Sequence, residues 1–220
     1  MESAATRLEQ IREGVAHACR IAEREPGEVT LIAVSKTHPA EAIEPLLEAG
    51  HRVFGENRVQ EAQGKWPELR ERWPEAELHL VGQLQSNKAD DAVALFDCIH
   101  SLDRPSLVTA LGKAMDKVGR QVSCFVQVDI GEEPQKGGCA IPELPALLEQ
   151  AREAQVPVIG LMCVPPLGIE PAPFFALLDK LARDHALAGR SMGMSGDFET
   201  AIMLGATHVR VGTALFGERG

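Results

Sequence analysis

Lys36 closes the apolar run LIAVSK at residues 31–36, where strand-forming residues give way to an amine. A lysine normally keeps its ammonium in water. The chemical alternative is a reactive amine at the mouth of a site, and two later segments bear on it. In SMGMSGDFETAIMLGA, Ser195 and Gly196 precede a helical stripe of Phe198, Ala201 and Ile202. The unpaired N–H groups of a helix start can hold an anion with the Ser195 hydroxyl, or Ser195 or Asp197 simply caps the helix. In HVRVGTALFG, Arg210 shares the parity of His208 and Gly212, opposite to Val209 and Val211, and Gly212 and Thr213 follow. An inward arginine needs an acceptor, which a ligand or an acid such as Glu56 would supply. Amine, anion donors and arginine together suit a phosphorylated aldehyde.

Elements that would bring these residues together recur along the chain. Leu8, Ile11, Val15, Ala18 and Ala22 set a helix near residues 3–25, broken at Pro26 and Gly27. VTLIAVSK reads as a strand, followed by a helix from Pro39 to Gly50. The same alternation continues through HRVFGEN, ELHLVG, DCIHSL, VSCFVQVDI, VPVIGLMCV and RSMGM, with helices near 57–70, 86–94, 104–118, 142–154, 171–187 and 197–204, and ends on THVRVGTALFG. Eight strands alternating with helices predict a single closed (β/α)8 TIM barrel with an additional N-terminal helix, residues 1–220 forming one domain. A Rossmann-like sheet would carry a glycine-rich turn after its first strand, where this chain has SKTHPA. In the barrel, strand ends and the loops after strands 7 and 8 form the functional face, and strand alternation lets Ile32, Val34 and Lys36 point inward together. The aldehyde is then either pyridoxal 5′-phosphate or the substrate of a class I aldolase, which spacing does not separate.

Composition narrows the partners. With 22 basic and 32 acidic residues the net charge is −10, which opposes nucleic acid and anionic membranes and leaves a small molecule. No apolar run reaches a bilayer's span, and MESAATRLEQ lacks the pattern of a signal peptide. The five cysteines are widely spaced with no C-x-x-C pair, as in a reducing cytoplasm. The seven histidines lack metal-binding spacing, so no metal is expected.

AVSKTHPAEAI, FGENRVQE, HLVGQLQSNK, GLMCVPP, SMGMSGDFETAI and VRVGTALFGER, in that order, resemble the pyridoxal phosphate homeostasis protein family over essentially the whole chain. The resemblance implies a barrel like the N-terminal domain of alanine racemase, pyridoxal 5′-phosphate as cofactor, and a role in intracellular vitamin B6 and amino-acid pools without established catalysis. It implies Lys36 as the Schiff-base lysine, Ser195, Gly212 and Thr213 as phosphate contacts, Arg210 facing the pyridine nitrogen, and Asn57 near the cofactor. Gln83 stands where many relatives have proline, and Lys136 and Gly138 keep the spacing of a Lys-x-Gly loop within EPQKGG.

Arginine only donates hydrogen bonds, so a ring nitrogen facing Arg210 stays unprotonated and is a weaker electron sink. The 220 residues contain no tyrosine, which disfavours racemisation by the two-base route of alanine racemase, where a tyrosine from a second domain is the other base. These points favour a monomeric cytoplasmic carrier that passes the cofactor to pyridoxal phosphate-dependent apo-enzymes. The competing readings are a weak racemase or transaminase, and an interaction protein whose cofactor stabilises its fold. His79 and His100 read as core histidines or as neighbours of the cofactor, and Trp66 and Trp73 as packing residues.

Overall fold

The computed structural model describes residues 3–133 and 137–217. Eight parallel strands close into a barrel in chain order: β1 (Thr30–Val34), β2 (Val53–Glu56), β3 (Glu77–Leu80), β4 (Cys98–Leu102), β5 (Ser123–Gln127), β6 (Val158–Met162), β7 (Gly189–Ser191) and β8 (His208–Val211). β8 pairs with β1, Ile32 opposite Arg210 and Ala33 opposite Val211. Closure leaves no edge strand and directs all C-terminal strand ends to one rim.

The surrounding helices are α1 (Ala4–Ile21), α2 (Ala40–Glu48), α3 (Val59–Gln63), α4 (Trp66–Arg72), α5 (Ala89–Leu95), α6 (Pro105–Val118), α7 (Leu144–Glu153), α8 (Ala172–Asp184), α9 (Phe198–Met203) and α10 (Thr213–Phe216). The longer barrel helices turn an apolar stripe inward, as in α6, where Leu107, Val108, Leu111, Ala114 and Met115 are buried. α1 is the additional N-terminal helix. Its Gly14 makes room for Phe198 of α9, whose ring lies 3.0 Å from where a Cβ would sit.

The strands alternate between two cores. Ala33, Phe54, Leu78, Ile99, Cys124, Val126, Leu161, Val209 and Val211 join the apolar layer beneath the helices. The opposite parity fills the barrel with an unusual plug: His100 stacks on Phe125 at 4.4 Å between ring centroids, and Phe125 meets His208 edge-on at 4.9 Å. Ile32 and Val34 belong to this inner set, their methyls approaching the position a Gly55 side chain would take. The predicted parity of the first strand and of Arg210 therefore holds.

Three expected boundaries move. β1 ends at Val34, not Lys36, because residues 35–38 turn, with the His38 N–H donating to the Ser35 carbonyl and Thr37 in the left-handed region at φ +64°. The helix expected over 57–70 breaks into α3 and α4 at Gly64 and Lys65. The closing segment leaves the sheet after Val211, and Thr213–Phe216 is helical.

Candidate functional site

At the C-terminal rim a cavity of about 430 Å3 is lined by Lys36, Asn57, Ser195, Arg210, Gly212 and Thr213, together with Val34, His38, Val81, Val164, Met194, Gly196 and Gly217. All six residues singled out in the sequence thus come to one hollow: Lys36 from the turn after β1, Asn57 from just after β2, Ser195 from the loop after β7, Arg210 from β8, and Gly212 and Thr213 from the start of α10. Their separation in sequence is closed by the barrel alone.

The turn bearing Lys36 is held from below by a second, buried lysine. Lys65 Nζ donates to the carbonyls of Ser35 (3.0 Å) and His38 (2.9 Å), on either side of Lys36. It also pairs with Glu56 (2.8 Å) and Glu61 (3.1 Å). Glu61 accepts the Thr37 N–H, and Glu56 accepts from the Ser35 hydroxyl at 2.6 Å and the Trp66 indole at 3.1 Å. A buried ammonium placed among two carboxylates and two carbonyls is compensated in charge and in hydrogen bonds. The α3–α4 break is what turns Lys65 inward. A lysine in a polar helix reads as solvent-facing, so sequence reasoning missed it.

Opposite Lys36, Ser195 does not cap α9. Its Oγ accepts from the N–H groups of Gly212 and Ala214, both at 3.3 Å, and so ties the loop after β7 to the first turn of α10. Asp197 does not cap α9 with its side chain either; its Oδ1 accepts the Met194 N–H at 2.6 Å. The consequence is a cluster of hydroxyl and backbone N–H groups beside Thr213. Gly212 lets this cluster lie close to β1: a Cβ there would meet the Val34 carbonyl at 3.3 Å.

Arg210 is 6% exposed, and of the two acceptors open to it in the sequence, a ligand or an acid such as Glu56, Glu56 is not one. Its Nη1 donates to the carbonyl and hydroxyl of Ser191 (2.8 and 2.7 Å), and Nη2 to the Cys163 carbonyl (2.8 Å). Glu56 is engaged by Lys65 instead. Burial lowers the Arg210 pKa from its ordinary value, while the neighbouring Cys163 and Asp197 oppose the change. Asn57 is fixed by close packing: a Gly82 side chain would overlap the Asn57 carbonyl oxygen, 2.3 Å from the Cβ position.

His38 also lines the cavity, its ring stacked on Phe216 at 4.6 Å, and sequence reasoning did not single it out. The cue was its place two residues after Lys36. His79 and His100 lie deeper, in the plug, and do not line the cavity. Gln83 donates to Gln127 Oε1 at 2.7 Å, linking the loop after β3 to the end of β5. Lys136 lies outside the described residues.

The sequence profile of the family described as alanine racemase, N-terminal domain, matches residues 7–220. A pyridoxal phosphate homeostasis protein of Aquifex aeolicus is 40% identical, the alignment covering 99% of each chain, and one of Escherichia coli is 37% identical, covering 100% of this chain and 98% of the other. The chain belongs to the pyridoxal phosphate homeostasis protein family. Its fold also matches PipY of Synechococcus elongatus, solved with pyridoxal phosphate bound, at a TM-score of 0.85 and 40% identity over 98% of this chain and 100% of that one. An alanine racemase of Clostridium difficile, 13% identical with a TM-score of 0.68, shares the fold; this chain covers 56% of its length.

Proposed function

We propose that this protein binds pyridoxal 5′-phosphate in the cavity at the barrel rim and serves the intracellular balance of that cofactor and of the amino and keto acids that depend on it. The observation that carries the reading is the meeting of Lys36, Arg210 and the Ser195–Thr213 donor cluster in one cavity of about 430 Å3. The donor set fits the group: an amine for an aldehyde, hydroxyl and backbone N–H groups for a phosphate, and a guanidinium for a ring nitrogen. The relatives' names and the ligand of PipY support the same choice over an aldolase substrate.

In this reading Lys36 holds the cofactor as a reversible Schiff-base tether. Ser195, Gly212 and Thr213 bind the phosphate, Arg210 faces the ring nitrogen and Asn57 flanks the ring. When bound, the cofactor supplies an electrophilic carbon and an electron-withdrawing ring. The chain supplies little to exploit them: Arg210 donates a hydrogen bond without giving up a proton, and no tyrosine is present to act as a second base. The protein is a cytoplasmic, monomeric holder whose recipients are pyridoxal phosphate-dependent apo-enzymes. Five free buried cysteines support a reducing compartment, and no described helix is long and apolar enough to cross a membrane.

Borohydride treatment of the loaded protein should abolish its visible absorption and leave the added mass on the peptide containing Lys36. Lys36→Ala should lose the reducible adduct. An adduct retained in that variant would overturn the site assignment, and exchange of amino-acid α-protons at enzyme-like rates would overturn the non-catalytic role.

A further inference from the structure

Arg210 stands at one end of a run of short hydrogen bonds that crosses the inside of the barrel. Beyond Ser191 Oγ, His100 Nδ1 follows at 2.8 Å, and His100 Nε2 lies 2.9 Å from His79 Nδ1. His79 Nε2 then faces the Glu77 carboxylate at 3.8 Å, at the N-terminal end of β3 and on the face opposite the cavity. Ser191, His100 and His79 are all buried.

The chemistry of the groups sets the direction of this run. Arginine only donates, so Ser191 accepts from it, and the Ser191 hydroxyl has His100 Nδ1 within reach as the acceptor for its own proton. His100 then carries its proton on Nε2 and gives it to His79 Nδ1, which leaves the His79 proton on Nε2, aimed at Glu77. Every donor points the same way, from a fixed cation to a carboxylate, and aligned bonds strengthen one another in a low-dielectric interior. Both imidazoles must be neutral for this order. Burial, with His79, His208 and Arg210 nearby, holds the His100 pKa well below its ordinary value.

Three of the five N–H groups of Arg210 are used on Ser191 and Cys163, which leaves two for the cavity. We infer that Ser191, His100 and His79 are positioning residues that lock the Arg210 guanidinium and set the strength of the hydrogen bond it offers a ring nitrogen in the cavity. This rests on the role proposed above for Arg210. The two histidines and Cys98 also have ligand atoms within 4.8 Å of one another, a spacing that suits a metal ion. The hydrogen bonds, however, already engage three of the four imidazole nitrogens, and the fourth faces Glu77.

Side-chain 15N spectra of the cofactor-free protein test the relay directly. His100 should be a neutral Nε2–H tautomer between pH 8 and pH 6, and stoichiometric zinc should leave the His100 and His79 resonances unmoved. A charged or Nδ1–H His100, or a shift with zinc, would overturn the inference. Ser191→Ala removes the hydroxyl but keeps the carbonyl that Arg210 also uses. It and His100→Leu should weaken pyridoxal phosphate binding about tenfold and shift the visible band. His100→Asn, which restores an acceptor near the Nδ1 position, should recover most of the affinity. If Ser191→Ala and His100→Leu, folded normally, bind like wild type while Arg210→Lys alters affinity and band, the relay is refuted and the role of Arg210 stands. If Arg210→Lys also changes neither, the role of Arg210 itself is wrong.

Discussion

At the scale of single residues, two lysines divide the work. Lys36 reaches the cavity, and Lys65 secures the turn that carries it, through carbonyls three residues apart on the same loop and carboxylates on β2 and α3. Removing one partner of a buried pair leaves the other charge uncompensated, at a cost of about 3–5 kcal/mol. Lys65→Met should therefore lower the urea midpoint strongly, and Lys65→Met combined with Glu56→Gln should recover part of the loss. A midpoint for Lys65→Met equal to that of the parent would mean that the pair contributes nothing. The contrast also explains what was legible in the sequence. Lys36 stood out because it ends an apolar run, and strand parity gave Arg210 its direction. Lys65 had no such mark, since its burial follows from a helix break that periodicity does not register. The acceptors of Arg210 were unreadable for another reason: two of the three are backbone carbonyls, which any residue supplies.

At the scale of elements, the order and type of the eight βα units could be read from alternation, because a buried parallel strand and an amphipathic helix differ in period. The ends of the elements could not. β1 stops two residues early because a turn at residues 35–38 draws its hydrogen bonds from Lys65 and Glu61, far along the chain. The last expected strand ends at Val211 because the Ser195 hydroxyl accepts from Gly212 and Ala214 and anchors a helical turn there. Loop-to-loop packing matters equally at the end of β3. A side chain at Gly82 would overlap the backbone of Asn57, so Gly82→Ala must push the two rim segments apart. That variant should keep the barrel's circular dichroism and bind pyridoxal phosphate at least several-fold more weakly by fluorescence or absorbance titration. Unchanged affinity would show that the position of Asn57 does not matter to the cofactor.

At the scale of the molecule, buried histidines make stability depend on pH. Burial holds both His51 and His208 neutral, their pKa values lowered to about 4. In the unfolded chain each would titrate near its ordinary value of 6.5. The unfolded state therefore binds more protons between those values. The stabilisation is complete above pH 6.5, falls as pH drops, and is lost by about pH 4, at roughly 3 kcal/mol for each histidine. Denaturant midpoints of the cofactor-free protein should decline across that window, and less steeply in His51→Gln. A flat profile would place these imidazoles in contact with water.

The chain has no tyrosine and only two tryptophans, so its emission under excitation too long in wavelength for phenylalanine comes from Trp66 and Trp73 alone. Trp66 is fully buried and shares the Glu56 carboxylate with Ser35, the residue before Lys36. An indole seated so near the cavity can pass its excitation to a chromophore that absorbs in the near ultraviolet and visible. The protein thus carries its own optical gauge of occupancy, and loading with pyridoxal phosphate can be followed in real time without attaching a dye.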